Sequence, residues 1–375
     1  MAVRLTLSAA LCLLLLAWAA PAAGQSDDEA ARLIAEYGLR ETPAPLAARP
    51  GWRRPARVLV DAGTPGLLDG LRPLATGTEL VPVSTIEQLR AAAPTADAVI
   101  GRQGFVCDPD VLAAGARLLW LQALSSGVER CTGRPELADG DPLLTNLRAI
   151  AGPVIAEHTI AMMLALTRGL HVSIPRQARG DWSTDYPGTP LVAVQGRTML
   201  VVGLGGIGGG IAQRAKALGM RVTATRGTRQ DKPPYVDEVG LPEDLPRLIA
   251  AADVVVHAAP LTPATRHLYD ARMFARMKPA AYFINVARGG AVVEADLIAA
   301  LESRRLAGAA LDVTEREPLP KDHPLWRAPN LVLTPHMSGE TDAGTAALLL
   351  VVRENLRRFL AGERMLSPVD PGRGY

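Results

Sequence analysis

The chain has 375 residues, of which 48% are hydrophobic and 21% charged, a composition typical of a folded protein large enough for two cores. The formal net charge is +2 and aromatic residues make up only 4%, so the sequence offers neither the basic field nor the stacking platforms of a nucleic-acid-binding protein. We therefore expect no nucleic-acid partner.

The first residues have the pattern of a secretory signal. Arg4 precedes a leucine-rich run that stays uncharged until Asp27, and Pro21 with small residues lies just before Gln25. We interpret residues 1–24 as a signal peptide, which makes the mature protein an exported one, periplasmic or secreted. An uncleaved membrane anchor is the alternative, because the uncharged run approaches spanning length. With an inactive leader the protein would remain cytoplasmic.

Two cysteines, Cys107 and Cys131, remain after cleavage of the leader. Their spacing fits no metal motif, and we predict no metal site. A single disulfide and two unpaired buried thiols are both compatible with the sequence.

The first half of the chain alternates between predicted strands and helices. From Asp27 to about Arg57 the charged, Pro- and Ala-rich sequence predicts a short helix followed by a linker. Apolar runs that meet turn residues then predict strands in ARVLVDAG, ADAVIGRQG and RLLWLQALSSG. With helical patterns between them, these strands predict a parallel sheet with crossover helices.

A long, nearly apolar helix is predicted from about Pro153 to Leu170, at an interdomain or subunit interface. A second alternating series follows, with strands predicted in TMLVVGLG, RVTATR, DVVVHAAP, AYFINVAR, LAGAALDV and NLVLTPH. Ligands of such sheets bind beyond the carboxyl ends of the strands. The candidate functional residues are those at these ends: Gly203, Arg226, Pro260, Arg288, Asp312 and His336.

The segment GLGGIGGG carries a G-x-G-x-x-G pattern between a predicted strand and a helix from Ile207 through Leu218. Gly203 would permit the tight turn, Gly205 the approach of a pyrophosphate, and Gly208 the close packing of helix on strand. Together with Gly206 and Ile207, these residues predict a dinucleotide site in which the phosphates meet free N–H groups of the helix. An ordinary strand-to-helix turn is the alternative.

The end of the next strand favours NADP over NAD. An NAD site places an acidic residue there, about twenty residues after the glycine loop begins. Here RVTATRGTR ends in Arg226, and the next acid is Asp231. Arg226 could pair with the 2′-phosphate of NADP, with Thr228, Arg229 and Thr225 as further donors. In the alternative, Arg226 is a surface residue and the ribose binds elsewhere.

Three polar side chains suit hydride transfer to a keto acid. Arg288 could grip a carboxylate in a bidentate manner, and His336 could donate a proton to a carbonyl oxygen. Glu317 could hold that imidazole and keep it protonated. Taken singly, each residue also fits a structural role.

The segments NVARGGAVVEADLIAAL, ALDVTEREPLP and TPHMSG, which follow the glycine loop in this order, resemble the D-isomer-specific 2-hydroxyacid dehydrogenases, a family that includes glyoxylate/hydroxypyruvate reductases. The resemblance extends from about Val58 to Leu360. It implies an oxidoreductase that reduces 2-keto acids to D-2-hydroxy acids with NAD(P)H. It also implies an α/β fold of two Rossmann-like, doubly wound parallel-sheet domains. The substrate-binding domain (25–152 and 337–375) would be discontinuous around the dinucleotide-binding domain (153–336), and homodimers would form through the cofactor domain.

The resemblance also assigns roles to residues. Arg288 would hold the substrate carboxylate, His336 would be the general acid/base with Glu317 as its partner, and the backbone amides of Ser126 and Gly127 in LSSGVE would cradle the carboxylate. The cofactor-binding residues would include Pro260 and Thr265 in APLTPATRHL, Ala287, and Asp312 at the nicotinamide amide. Thr314 stands where the family often has an aromatic residue.

Two other functions stay open. A formate dehydrogenase of the same fold would carry an amide in place of the acid Glu317. A non-catalytic, cofactor-sensing binding protein would retain the site without turnover. We expect the substrate pocket to be shaped by the loops around Arg102-Gln103-Gly104 and from Asp181 to Pro190.

Overall fold

The computed structural model describes residues 23–228 and 232–370. All but the last two residues of the predicted signal peptide lie outside these ranges, as do Arg229 and Asp231. Within the described ranges, no helix combines the length and apolarity needed to cross a bilayer.

The chain alternates regularly between strands and helices. The strands are β1 (Arg57–Asp61), β2 (Glu79–Val83), β3 (Ala98–Gly101), β4 (Trp120–Ala123), β5 (Leu143–Thr145), β6 (Thr198–Val202), β7 (Arg221–Thr225), β8 (Glu238–Gly240), β9 (Val254–His257), β10 (Ala281–Asn285), β11 (Leu306–Leu311) and β12 (Leu331–Leu333). The α-helices are α1 (Ala23–Tyr37), α2 (Leu67–Leu71), α3 (Ile86–Ala92), α4 (Gln103–Val106), α5 (Pro109–Ala114), α6 (Gly152–Thr167), α7 (Leu170–Gln177), α8 (Gly206–Ala217), α9 (Leu245–Ala251), α10 (Ala271–Arg276), α11 (Glu294–Glu302) and α12 (Asp342–Ala361).

The strands form two parallel sheets. Five of them have the order β2-β1-β3-β4-β5, and seven have the order β12-β11-β10-β9-β6-β7-β8. In the larger sheet the strand order reverses between β6 and β9, which are hydrogen-bonded neighbours. Ligands of doubly wound sheets bind in the crevice at such a point. The predicted α/β fold with two Rossmann-like sheets is confirmed.

Helix α12 returns to the first sheet and completes its core. Its buried side chains include Val351, Leu356 and Phe359, which cluster with Val58 of β1. The ring of Phe359 lies 4.8 Å from that of Trp120, centroid to centroid. The substrate-side domain is therefore discontinuous, as the resemblance implies.

The linker predicted after α1 is packed on the core of the first sheet. Thr42 and Leu46 are buried, and Glu41 forms an antiparallel bridge with Leu366. The Thr42 N–H donates to the Met365 carbonyl at 2.8 Å. The chain end that returns after α12 supplies the backbone partners that hold this segment on the core, a contact that the charged and Pro-rich composition does not indicate.

Candidate active site

The glycine loop lies at the reversal point of the larger sheet. Gly203 follows β6 with φ +100°, and a β carbon there would lie 2.6 Å from the backbone nitrogen of Ala259, after β9. A β carbon on Gly208 would overlap the Gly203 carbonyl oxygen. Both positions therefore require glycine, the first for its backbone angle and both for close approach.

The next glycines leave open space in front of the helix. Gly205 and Gly206 are exposed, and no atom lies within 4 Å of a β carbon placed on Gly205. Helix α8 begins at Gly206, so the free N–H groups of its first turn, which includes Ile207, lie beside this space. A flat backbone surface beside a helix N-terminus fits a pyrophosphate.

Arg226 follows β7 and lies over the start of this loop. Its Nε and Nη2 donate to the Leu204 carbonyl at 3.2 and 2.9 Å. Of the other predicted donors, Thr228 is exposed whereas Thr225 is buried. The structure thus brings a guanidinium to the strand end where a ribose would lie, although two of its N–H groups already have a backbone acceptor.

The loop after β9 closes on itself through Thr265. The Thr265 hydroxyl donates to the Pro260 carbonyl at 2.7 Å and accepts from the Thr262 N–H at 2.7 Å. These bonds fix the path of the exposed Pro260 near the glycine loop. Cofactor contacts by Pro260 and Thr265 stay predictions.

Arg288 follows β10 and reaches across to the first domain. Its Nε donates to Glu129 Oε1 at 2.6 Å, and its Nη1 donates to the Ala287 carbonyl at 2.6 Å. A β carbon on Gly127 would overlap Nη2 of Arg288. The guanidinium therefore lies directly against the backbone of the loop after β4.

That loop presents its backbone towards Arg288. The Ser126 hydroxyl donates to the Leu147 carbonyl at 3.0 Å, and Asn146 Nδ2 donates to the Ser126 carbonyl at 2.7 Å. Within the described part of the chain, the N–H groups of Ser126 and Gly127 have no acceptor. Two free N–H groups beside a guanidinium can bind a carboxylate.

A disulfide anchors the far end of the same loop. Cys131 is bonded to Cys107, at the end of α4, and both cysteines are buried. Of the two states compatible with the sequence, the structure therefore has the bonded one. The bond ties the Ser126–Gly127 loop to the helix that follows β3.

His336 and Glu317 form a pair beyond β11 and β12. The imidazole Nδ1 lies 2.7 Å from Glu317 Oε2, and the other carboxylate oxygen accepts from the Thr314 N–H at 3.1 Å. His336 adopts a left-handed backbone with φ +53°. About half of its side chain is exposed, which leaves the imidazole accessible to solvent.

Asp312 holds the turn that carries His336. Its carboxylate accepts from the Thr334 hydroxyl at 2.6 Å and from the N–H groups of Met337 and Ser338 at 3.0 and 3.1 Å. Burial alone would raise the pKa of Asp312, but these hydrogen bonds outweigh it and the pKa lies below its usual value. Asp312 is therefore a carboxylate that orients the His336 turn; its predicted contact with a nicotinamide amide stays a prediction.

The expected pocket wall from Asp181 to Pro190 lies elsewhere, and that expectation is wrong. The Pro190 carbonyl accepts from the hydroxyl of Tyr282 at the start of β10, and Gly188 contacts Asn330 before β12. These are the amino ends of the strands, whereas Arg288 and His336 lie beyond the carboxyl ends. No local pattern indicates which end of a sheet a long connection will cover.

One site residue was missed by sequence reasoning. Glu129 lies two residues after Gly127, and besides Arg288 it binds Gln103, whose Nε2 donates to Oε2 at 3.0 Å. Its position on the same loop as Ser126 and Gly127 was the signal that the sequence offered. No group of three or more His, Cys, Asp and Glu side chains that could hold a metal occurs in residues 23–228 and 232–370.

Comparisons with known proteins identify the family of the chain. Residues 160–338 match the model of the NAD binding domain of the D-isomer specific 2-hydroxyacid dehydrogenases. A D-3-phosphoglycerate dehydrogenase of Methanocaldococcus jannaschii is 33% identical over 282 residues, which are 74% of this chain but 52% of that protein, so the match spans about half of its length. The human glyoxylate reductase/hydroxypyruvate reductase is 34% identical over 281 residues, 72% of this chain and 84% of that protein.

A solved structure matches both domains. The D-isomer specific 2-hydroxyacid dehydrogenase from Xanthobacter autotrophicus Py2, in complex with NADPH and MES, superposes with a TM-score of 0.68 at 30% identity, over 86% of this chain and 100% of that one. The fold and the sequence identity over most of the chain agree, and the chain belongs to the D-isomer specific 2-hydroxyacid dehydrogenase family.

Proposed function

We propose that the protein reduces a 2-keto acid to the D-2-hydroxy acid, with NADPH preferred to NADH. The observation that carries the proposal is the placement of Arg288 against the free N–H groups of Ser126 and Gly127, with the His336–Glu317 pair beyond the neighbouring strands. A small keto acid such as glyoxylate or hydroxypyruvate is the substrate class, in keeping with the name of the human relative.

Each residue has a distinct task in this proposal. Arg288 and the two N–H groups bind the carboxylate and orient the keto group. Glu317 accepts the Nδ1–H of His336, which leaves Nε2 to carry the proton that the carbonyl oxygen takes up. The nicotinamide, when bound along the glycine loop, supplies the hydride.

The preference for NADPH is supported by Arg226. Its guanidinium lies at the end of β7, and no acidic residue occurs between Thr225 and Thr228. A carboxylate at this position would repel the 2′-phosphate and so select against NADP. Without an acidic residue there, this repulsion is absent. The similar dehydrogenase of Xanthobacter autotrophicus was solved with NADPH.

Turnover by protein made without residues 1–24 tests the function. We expect oxidation of NADPH with at least one member of a panel of glyoxylate, hydroxypyruvate and bulkier 2-keto acids, and slower oxidation of NADH. Formate should give no reduction of NADP or NAD. Tight cofactor binding without turnover of any keto acid would instead favour a cofactor-sensing binding protein.

The proposal includes a homodimer formed through the cofactor domain. Its support is the exposure of large apolar side chains on and after α7: Ile174 is 64% exposed and Trp182 is 95% exposed. Ile174→Glu should shift the sedimentation coefficient from dimer to monomer. A wild-type monomer at micromolar concentration would refute the dimer.

We also propose that the protein works outside the cytosol. The Cys107–Cys131 bond supports this location, because structural disulfides persist in oxidising compartments. Expression of the full chain in a bacterial host should give a periplasmic protein that begins near Gln25. Full-length protein confined to the cytoplasm would contradict the proposal.

A further inference from the structure

We propose that Glu129 occupies the carboxylate position of the site, so that it competes with substrate for Arg288 and selects against 2-keto acids with a second anionic group. The inference rests on the proposed function and adds the charge class of its substrate. It assigns a specificity-determining role to a residue outside the His336–Glu317 pair.

The geometry places the Glu129 carboxylate where a substrate carboxylate would bind. Its Oε1 accepts from Arg288 Nε at 2.6 Å, and its Oε2 would lie 2.7 Å from a β carbon on Gly127. The same side chain therefore faces both the guanidinium and the loop with the free N–H groups. A ligand carboxylate cannot take this place unless Glu129 moves aside.

Glu129 is ionised at neutral pH. Burial alone would raise the pKa of its carboxyl, but the charge of Arg288 and the hydrogen bonds from Gln103 and Arg288 outweigh this, and the pKa lies below its usual value. Since the side chain is still 39% exposed, it has solvent into which it can swing when a ligand displaces it.

A second arginine near the loop after β3, Arg102, binds other residues than Glu129. Arg102 donates to the Ser84 carbonyl at 3.2 Å, pairs with Asp61 at 3.6 Å and lies over the ring of Phe105. Among the described residues, Arg288 is therefore the one cationic side chain that forms an ion pair with Glu129. Once a substrate carboxylate takes over Arg288, the negative charge of Glu129 remains close to the substrate.

This arrangement discriminates by charge. A second carboxylate or a phosphate on the substrate would face Glu129, and like charges at close range in a half-buried site repel. The site therefore suits 2-keto acids with a neutral or positively charged side chain. Substrates with a second anionic group should react with a high KM.

Glu129→Gln keeps the shape and removes the charge, and Asp139→Asn removes an exposed charge elsewhere in the same domain. Binding of oxamate, a non-reacting monoanionic mimic, is measured by calorimetry with cofactor present. Turnover with the monoanion 2-oxobutanoate and with the dianion 2-oxoglutarate is measured alongside. In Glu129→Gln we expect the Kd for oxamate and the KM for 2-oxobutanoate to fall roughly five- to tenfold, with a smaller change in kcat.

In Glu129→Gln, the KM for 2-oxoglutarate should fall further than the KM for 2-oxobutanoate. In Glu129→Asp and Asp139→Asn, the ratio between the kcat/KM values for the two substrates should stay at its wild-type value. Unchanged or weaker oxamate binding in Glu129→Gln, or an unchanged ratio between the kcat/KM values for the two substrates, would overturn the inference. If the wild type still reduces 2-oxobutanoate in that case, the proposed function stands. If wild type reduces no keto acid but Glu129→Gln binds oxamate more tightly, the proposed function is refuted. The inference that Glu129 competes with a carboxylate for Arg288 then still stands.

Discussion

Arg288 has a hydrogen-bond partner in each half of the molecule. Nη1 donates to the carbonyl of its neighbour Ala287, and Nε donates to Glu129 on the loop after β4. The planar fork meets both at once because its N–H groups diverge in fixed directions. A lysine at this position would keep the charge but present a single point of contact.

We therefore expect Arg288→Lys to lower kcat/KM for the keto acid by roughly a hundredfold, comparable to the loss of a charge-assisted hydrogen bond at a reacting site. The Kd for NADPH, measured by fluorescence, should stay within about twofold. Arg272→Lys, at a side chain that is 91% exposed, is the matched control. An equal weakening of NADPH binding would assign Arg288 to the nucleotide site or to the fold.

Arg226 is expected to set the cofactor preference. Arg226→Asp should invert or abolish the preference for NADPH, a change of about ten- to a hundredfold in the ratio between the kcat/KM values for NADPH and NADH. Because Arg226 also holds the Leu204 carbonyl, both absolute rates can fall, and the ratio is the quantity to compare. Arg221→Asp, at the start of the same strand, is the control. A ratio near one that is the same in wild type and Arg226→Asp would exclude the assignment.

The identity of the strand-end residues is easier to predict from sequence than their contacts. The residue types of Glu317 and His336 predict a pair, and the structure brings them together. The support of His336 by Asp312 depends on a turn with positive φ and on backbone N–H groups, neither of which leaves a pattern in the sequence. Glu129 was missed although it lies on the LSSGVE loop, because its contact with Arg288 forms only in the folded chain.

At the scale of elements, the strands that sequence analysis missed are all at sheet edges. β2, β5 and β8 each end a sheet, and β5 and β8 are only three residues long. A strand of three residues is too short to leave the apolar run that indicates a buried strand in the sequence. β2 also contains Pro82, which is ordinarily evidence against a strand.

The disulfide should make a measurable contribution to stability. It closes a loop across 24 residues, and the loss of chain entropy in the unfolded state is worth about 3 kcal/mol. Replacement of both Cys107 and Cys131 by Ala should lower the free energy of unfolding in urea by about that amount. Reducing agent should leave the double variant unchanged. Equal stability of wild type and double variant would mean that the bond is absent in solution.

Strand β9 ends in a buried imidazole that makes stability depend on pH. Burial lowers the pKa of His257 from 6.5 to about 3, and its Nδ1 lies 3.3 Å from the Tyr269 hydroxyl. Between these two pH values the unfolded chain binds a proton that the folded chain does not, so stability falls as the pH drops below about 6.5 and levels off near pH 3.

From pH 7 to pH 5, wild type should lose about 2 kcal/mol more than His257→Leu in urea unfolding. His267→Gln, at an imidazole that is 48% exposed, is the control for replacement of a histidine outside the core. Parallel curves for wild type and His257→Leu would show that His257 is not held neutral by burial.

For the whole molecule, the alternation of strands and helices predicted two parallel sheets, because buried parallel strands leave strong apolar runs in the sequence. The polar residues at the strand ends predicted a site at the carboxyl ends of the strands. The packing of the segment between Gly38 and Ala56 was not predicted, and the segment between Asp181 and Pro190 was placed wrongly. Their positions are set by contacts with Leu366 and with Tyr282, far away in the sequence. Such contacts depend on tertiary structure rather than on local pattern.

We propose that His336 gives the carbonyl oxygen of a 2-keto acid its proton, while the bound nicotinamide would supply the hydride to the carbonyl carbon. The most direct test of this proposal is chiral analysis of the product formed from a prochiral keto acid and NADPH by wild type and by His336→Ala. We expect the D-hydroxy acid from wild type, and a rate lower by about a hundredfold or more from the variant, with NADPH binding retained. Formation of the L-isomer, or an unchanged rate in His336→Ala, would contradict the proposed reaction and the role of His336.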